Sequence, residues 1–307
     1  MNALAVKLGS MELNNPLIPA SGTFFSVHHL PSNYPVHALG AFLTKTITLE
    51  PRSGNEQPRL KECSSGMMNS IGLENQGWEA FEKNDLPKIL SLDARKWISI
   101  AGRCAEDFET LARALDPHPV DAIEVNVSCP NLKAGGTPYC FDPEALKEVV
   151  LRIRKASQHF LAVKISIETP LLPQMLDIIA GEGADAVCIG NTLRGLSINI
   201  ETGLPHFKKI FAGYSGPAIK PLALRAVWEA RKHAPHLPII GCGGISDEKD
   251  VIEFLMAGAN AVEIGTTHFI NPMVIPRIQS QLMDYCLEKH IALSSLTNIA
   301  HKGGLCS

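Results

Sequence analysis

Short runs of apolar and β-branched residues alternate along the chain with longer segments in which apolar residues recur every three or four positions. The short runs predict strands at residues 41–48, 97–101, 122–127, 161–165, 186–189, 218–220, 239–241 and 261–265. The longer segments predict helices at 78–90, 106–115, 144–157, 171–182, 223–233 and 248–257. Continuously apolar strands are typical of parallel strands covered on both faces, and eight of them close a (β/α)8 TIM barrel. The pattern therefore predicts an α/β fold of that kind.

The remaining segments predict additions to the barrel rather than further domains. Residues 5–13, with Gly9 and Ser10 at their centre, predict a β-hairpin that plugs one end of the barrel. Residues 50–66 are rich in Pro and Gly and long enough to form a functional loop. Since no linker or break in composition divides the chain, we expect residues 1–307 to form a single barrel domain with elaborated βα loops.

Composition and charge narrow the class of protein. The chain is 45% hydrophobic and 19% charged, which suits a packed core. Its net charge of −3, without blocks of either sign, argues against a nucleic-acid partner. With no run of 18 apolar residues and no secretion signal in residues 1–10, we expect a cytoplasmic protein that does not bind a membrane. Eight Cys without a Cys-x-x-Cys pair predict no metal site.

Polar residues follow the predicted strands where an active site of a barrel is expected, at the carboxyl ends. They are Lys45, Ser99, Asn126 with Cys129, Lys164, Asn191 with Thr192, Lys220, Gly243-Gly244 and Gly265-Thr266. Strand ends that only form turns are expected to carry mostly Ser, Thr, Gly and Asp, so three lysines and two asparagines in one such ring indicate a functional site. For any single member, a turn residue or a lysine whose stem lies along apolar surface remains the alternative.

Glycines after the last two predicted strands indicate a phosphate site. Gly243-Gly244 and Gly265 lie where barrels bind phosphate through backbone N–H groups and the start of a helix. A phosphorylated ligand is therefore expected. The segment 241–246 does not match Gly-x-Gly-x-x-Gly, so a dinucleotide fold is disfavoured.

The segment 126–131 carries the densest chemistry in the chain. It places amides, a hydroxyl and the Cys129 thiol in one short loop. A thiol near lysines can have its pKa moved toward neutrality, which suits a general acid or base. The alternative is a buried, unreactive cysteine.

On these residues the chain resembles the dihydroorotate dehydrogenases, and specifically their soluble, NAD-linked, two-subunit class (class IB). The resemblance runs from about Val6 to His268 through ordered motifs at 19–24, 44–46, 50–59, 69–75, 126–131, 191–192, 215–221 and 264–266. It implies an FMN-containing enzyme that oxidises dihydroorotate to orotate in pyrimidine synthesis. It also implies a partner subunit with FAD and an iron–sulfur cluster that passes electrons to NAD, and a homodimer at the core of a heterotetramer.

The resemblance assigns roles to individual residues. Those implied to hold FMN are Ser21, Lys45, Thr46, Ser99, Asn126, Lys164, Gly190, Gly216, Gly243, Gly244, Gly265 and Thr266. Those implied to hold the pyrimidine are Lys45, Asn69, Ser70, Ile71, Gly72, Leu73, Asn126, Asn131, Asn191 and Thr192. Cys129 is the implied base, which takes a proton from ring carbon five while a hydride leaves ring carbon six for the flavin. The membrane-linked class has Ser at that position, so the thiol favours the soluble class.

Four departures from the family pattern concern the flavin contacts. Ser99 stands where Asn is frequent, Gly190 where a larger apolar residue is common, and Phe25 where Gly is usual, while 166–168 lack a frequent Pro. Two other functions stay open at this point. One is a flavin-dependent reductase of uracil-like rings with the loop cysteine as acid, and the other is a non-catalytic barrel that binds FMN or a phosphorylated metabolite.

Overall fold

Strands and helices alternate through most of the chain. A computed structural model describes residues 2–128 and 138–303. Its strands are β1 (Val6–Leu8), β2 (Met11–Leu13), β3 (Leu17–Pro19), β4 (Phe42–Leu43), β5 (Leu60–Cys63), β6 (Gly66–Asn69), β7 (Lys96–Ile100), β8 (Ala122–Asn126), β9 (Phe160–Ile165), β10 (Ala186–Ile189), β11 (Leu193–Leu196), β12 (Phe211–Ser215), β13 (Ile239–Cys242) and β14 (Ala261–Ile264). Its α-helices are α1 (Gly77–Ala80), α2 (Leu86–Leu90), α3 (Ala105–Leu115), α4 (Pro143–Ala156), α5 (Leu172–Gly181), α6 (Lys220–His233), α7 (Glu248–Met256), α8 (Thr267–Ile270) and α9 (Val274–Lys289).

Eight of the strands form one parallel sheet that curves into a barrel. Their order is β3-β14-β13-β10-β9-β8-β7-β4. The Gly40 N–H, just before β4, donates to the Leu17 carbonyl of β3 at 2.7 Å, which brings the two ends of the sheet together. The predicted (β/α)8 barrel is confirmed.

The barrel strands alternate between two apolar layers, as the period of two in a strand requires. On β9, Phe160 and Ala162 pack in the barrel interior, whereas Leu161 and Val163 pack in the layer between strands and helices. The interior layer also includes Val6, Leu8, Met11 and Leu13 of the β1–β2 hairpin. That hairpin pairs antiparallel, with Val6 opposite Leu13, so the predicted plug is confirmed.

One predicted strand is wrong. Residues 217–219 form a single 3₁₀ turn and α6 begins at Lys220, because Pro217 and Pro221 lack the N–H that a strand would need and suit the first turn of a helix. The eighth barrel strand is β3, which the sequence pattern missed. Lys220 therefore starts a helix instead of ending a strand. Its ammonium contacts Asp250 at 2.6 Å and Glu253 at 2.8 Å.

The elaborated loops build a second, antiparallel sheet at the carboxyl end of the barrel. Its order is β11-β12-β6-β5. Strands β5 and β6 belong to the loop after β4, and β11 and β12 belong to the loop after β10. Both loops thus stand at the end of the barrel where a site is expected. Across residues 2–128 and 138–303, none of the helices combines the length and the apolar character that crossing a membrane requires.

Candidate functional site

Polar side chains at the carboxyl ends of the strands form one continuous chain of hydrogen bonds. Asn191 Nδ2 donates to Ser128 Oγ, which donates to Asn126 Oδ1 at 2.9 Å. Asn126 Nδ2 lies 3.5 Å from Thr46 Oγ1, and the Thr46 and Ser99 hydroxyls are 2.8 Å apart. The structure therefore brings these predicted residues from four strands to one mouth. Amides and hydroxyls in this arrangement offer both donors and acceptors to a polar ring.

Thr192 and Asn69 extend this mouth toward the second sheet. The Thr192 N–H donates to Asn191 Oδ1 at 2.8 Å. Its side chain lies against Gly213, where a Cβ would overlap the Thr192 hydroxyl. Asn69 Nδ2 donates to the Gly213 carbonyl at 3.5 Å. One strand of the antiparallel sheet thus joins both predicted pyrimidine ligands.

The loop before β5 packs against the next predicted segment, residues 70–73, which follows β6. The Asn55 N–H donates to the Ile71 carbonyl at 2.9 Å, and Asn55 Nδ2 donates to Ser70 Oγ at 3.0 Å. Gly72 packs so closely on Asn55 that a Cβ would lie 2.6 Å from its Oδ1. Leu73 adopts a φ of 57°. This segment is therefore fixed by both backbone and side-chain groups of the long loop that the sequence predicts to be functional.

Lys45 is exposed, yet it stands among protein groups that shift its pKa. Gly22 approaches its Nζ, and Arg59 and Glu74 bond to each other at 2.8 Å nearby. The surrounding protein partly desolvates the Lys45 ammonium, and this is the main reason that its pKa is lowered. The Glu74 carboxylate opposes the shift, and the Arg59 guanidinium adds to it. A ligand carboxylate beside this ammonium would favour its charged form.

Beneath the mouth, Lys164 lies in a buried cluster with two glutamates. Its Nζ contacts Glu263 Oε2 directly and lies 3.6 Å from Glu124 Oε2. The exposed fractions are 4% for Lys164, 0% for Glu124 and 1% for Glu263. The Ser99 hydroxyl donates to Glu124 Oε1 at 2.7 Å, so the chain of hydrogen bonds from Asn191 ends on this carboxylate. Ser21 also contacts Glu124.

The sequence pattern did not predict Glu124 and Glu263 as site residues, because they lie inside strands and not at the strand ends. Both acids stand inside buried strands, on the inward-facing register of β8 and β14. A charged residue within a continuously apolar strand was the available signal. Cys188 also faces this cluster. Its Sγ and one carboxylate oxygen of each glutamate all lie within 4.8 Å of one another. The cation that these acids contact is the Lys164 side chain.

The predicted glycines form a cradle from three segments. Gly216 precedes the turn into α6, Gly243 and Gly244 follow β13, and Gly265 follows β14. The Thr266 hydroxyl donates to Ser215 Oγ at 2.9 Å, which joins the third segment to the first. Gly244 has a φ of 74°, and a Cβ there would lie 2.6 Å from the Lys220 backbone N at the start of α6.

This cradle fits a phosphate group. Backbone N–H groups and the start of the 14-residue helix α6 suit an anion, and the absence of Cβ atoms lets the backbone approach it. The Lys220 ammonium is paired with α7 instead and is not needed for that fit.

Two of the departures from the family pattern have local physical reasons. Gly190 lies against the Cys242 carbonyl, which a Cβ would overlap. Phe25 packs edge-on against Phe24 with ring centroids 5.3 Å apart. Cys129 and Asn131, the predicted base and one predicted pyrimidine ligand, lie outside the described residues.

Comparison with known proteins shows which family the chain is similar to. The family model for dihydroorotate dehydrogenase matches residues 3–286. The chain is 41% identical to the dihydroorotate dehydrogenase B (NAD(+)) catalytic subunit of Thermoanaerobacter sp. (strain X514), over 94% of this chain and 95% of that one. It is 39% identical to the subunit of the same name from Carboxydothermus hydrogenoformans, over 98% of both chains.

The fold is shared with a more distant solved structure. The crystal structure of DHODH in complex with ferulenol from Eimeria tenella superposes with a TM-score of 0.81, at 19% identity, over 98% of this chain and 89% of that one. The residues matched by the family model span the plug, all eight barrel strands and the loop sheet. The chain therefore belongs to the dihydroorotate dehydrogenase family.

Proposed function

We propose that this chain is the catalytic subunit of an NAD-linked dihydroorotate dehydrogenase, which oxidises dihydroorotate to orotate with FMN as its flavin. The observation that carries the proposal is the meeting of two features at one mouth. The amides of Asn126 and Asn191 belong to one hydrogen-bonded chain, and a glycine cradle for a phosphate follows the adjoining strands β13 and β14. Relatives about 40% identical over nearly their whole length carry the name of this enzyme.

The chain's own residues would bind and orient the substrate. Asn126, Asn191 and Thr192 present donors and acceptors to a ring imide, and the Lys45 ammonium balances a carboxylate. The segment from Asn69 to Leu73, which Asn55 holds through Ser70, would also contact the ring. Bound FMN would supply the hydride acceptor that no side chain offers.

Cys129 is the proposed general base, which removes the proton from ring carbon five. It follows Ser128 directly in the chain, and Ser128 is fixed by Asn126 and Asn191. Its thiolate must form for that step, so flavin reduction should accelerate as pH rises toward the thiol pKa. The residues proposed to hold FMN are Ser21, Lys45, Thr46, Ser99, Asn126, Lys164, Gly190, Gly216, Gly243, Gly244, Gly265 and Thr266.

The proposal includes a partner. In the relatives' names, "catalytic subunit" and NAD(+) imply a second, electron-transferring subunit. We propose that a protein with FAD and an iron–sulfur cluster accepts the electrons, and that two copies of this chain form the core of the assembly. NAD reduction should then require the partner, whereas flavin reduction should not. The cytoplasmic location expected from the sequence stays a prediction.

The test compares two cysteine variants in anaerobic rapid mixing with dihydroorotate. Cys129→Ala should retain FMN but reduce it about 10²–10⁴-fold more slowly, the contribution of a positioned base. Cys104→Ala is the matched control, because Cys104 is an exposed cysteine that the proposed site does not include. It should reduce FMN at the rate of the unmodified protein. Equal rates in the two variants would contradict the assignment of the base.

A further inference from the structure

The buried cluster under the mouth contains more negative groups than its single ammonium can balance. Glu124 and Glu263 are fully buried, and Lys164 contacts both. If both carboxyls were ionised, the cluster would carry a net charge of −1 in the interior of the barrel, where an unbalanced charge is strongly disfavoured. One proton on the pair would make the cluster neutral.

The hydrogen bonds decide which glutamate is ionised. Glu124 Oε1 accepts from Ser99, and Ser99 receives the hydrogen-bond chain that begins at Asn191. Aligned donors of this kind strengthen one another and favour a negative charge at the end of the chain. No such chain of donors reaches Glu263 among the described residues; its Oε2 contacts Lys164.

Two carboxylate oxygens complete the geometry. Glu124 Oε2 and Glu263 Oε1 are buried and have no hydrogen-bond partner in the described part of the chain. A proton on Glu263 that is donated to Glu124 satisfies both residues at once. In keeping with this, burial and the Glu124 charge raise the pKa of Glu263 well above its ordinary value, while Lys164 and Ser99 hold that of Glu124 low against the effect of burial. Among the described residues, the other titratable groups facing the cluster are the Cys188 and Cys242 thiols.

We propose that Glu263 is a positioning residue for Lys164: as a neutral acid it donates to Glu124, accepts from the Lys164 ammonium, and so keeps that ammonium paired inside the barrel. The cluster forms the floor of the mouth, since Ser99 links Glu124 to Thr46 and Asn126 above it. The inference rests on the proposed function in one respect, namely that a flavin ring lies over this floor. The positive charge that Lys164 presents to the ring is then balanced from below by these two glutamates.

The first test is infrared spectroscopy of the complete chain at neutral pH, with glutamate labelled by ¹³C. The unmodified protein should show the C=O band of a protonated, buried carboxylic acid, and Glu263→Gln should lose it. A spectrum without that band, or a band that survives in Glu263→Gln, overturns the proposal. This measurement needs neither dihydroorotate nor bound FMN, so it gives its answer even if the proposed function fails.

The second test measures the midpoint potential of bound FMN against a reference dye. Glu263→Gln should match the unmodified protein, because an amide keeps both the donor and the acceptor and adds no charge. Glu263→Leu should release the ammonium toward the ring and favour the anionic reduced flavin about tenfold, a rise of about 30 mV. A purely structural role would leave the potential unchanged in Glu263→Leu, and an ionised Glu263 would raise it in Glu263→Gln. Either result overturns the proposal, and Glu263→Gln alone decides if the leucine variant does not fold.

Discussion

Replacing Lys164 by Met should remove the cation of the buried cluster while nearly preserving its volume. Glu124 and Glu263 would then remain in the barrel interior without the ammonium that both of them contact. Glu124, which is ionised in the unmodified protein, would have to take up a proton in order to stay buried. Breaking a buried ion pair from one side typically costs about 3–5 kcal/mol.

The pH dependence of this cost follows from the pKa of Glu124. Holding this carboxyl protonated at pH 7, against its ordinary pKa of 4.5, costs about 3 kcal/mol at about 1.36 kcal/mol per pH unit. In the unmodified protein the Glu124 pKa is lowered, so its contribution to stability is present above pH 4.5 and is lost as pH falls. In Lys164→Met the folded-state pKa is raised, so stability is present at low pH and is lost as pH rises. The difference between the two proteins therefore shrinks on acidification.

The assay is urea unfolding of flavin-free protein at pH 7 and at pH 5, so that flavin binding does not contribute. Lys164→Met should lose about 3 kcal/mol at pH 7 and about 1 kcal/mol at pH 5. Lys7→Met is the control, because the Lys7 side chain is 78% exposed and its pair with Glu12 spans 3.8 Å. It should change the free energy of unfolding by less than about 1 kcal/mol at either pH. An equal loss at both pH values in Lys164→Met would refute the reasoning.

Three further predictions concern other parts of the molecule. Gly244→Ala should weaken FMN binding by at least about tenfold in a fluorescence titration. A φ of 74° strains alanine, and its Cβ would approach the backbone at the start of α6. An unchanged Kd would contradict the assignment of the phosphate cradle. Arg231→Met should lower the free energy of unfolding by about 2–5 kcal/mol, because the buried Arg231 side chain donates to the Gly258, Pro235 and Leu237 carbonyls. A loss below about 1 kcal/mol would contradict this and show that water takes over these hydrogen bonds. Burial lowers the His268 pKa from 6.5 to about 4, so on acidification the unfolded chain takes up this proton before the folded protein does. Between pH 6.5 and pH 4 the free energy of unfolding should therefore fall by about 3 kcal/mol more in the unmodified protein than in His268→Phe. If the free energies of unfolding of the two proteins changed in parallel with pH, that pKa shift would be contradicted.

The barrel could be predicted because its strands and helices have distinct periods. The predicted helix at 144–157 is α4 (Pro143–Ala156), and the hairpin at 5–13 pairs as expected. The error at 218–220 arose because a short apolar run has no period of its own, and the flanking prolines were the better guide. Strand β3 is three residues long, and only its neighbours in the barrel identify it as a strand.

The site was predictable at its rim but not at its floor. Strand ends such as Asn126 and Asn191 meet because parallel strands end at one side of a barrel. The pairing of Lys164 with Glu124 and Glu263 depends on the inward register of three strands, which the positions of single residues do not reveal. The second sheet also escaped prediction, because its strands come from two loops far apart in sequence.

The most direct measurement of the proposed reaction is anaerobic mixing of the purified, FMN-loaded chain with dihydroorotate and, separately, with dihydrouracil. The account predicts that dihydroorotate bleaches the flavin absorbance and yields one orotate per flavin, whereas dihydrouracil leaves the flavin oxidised. If dihydroorotate left the bound flavin oxidised, or if the chemically reduced protein transferred its hydride to uracil instead, the proposed function would be wrong.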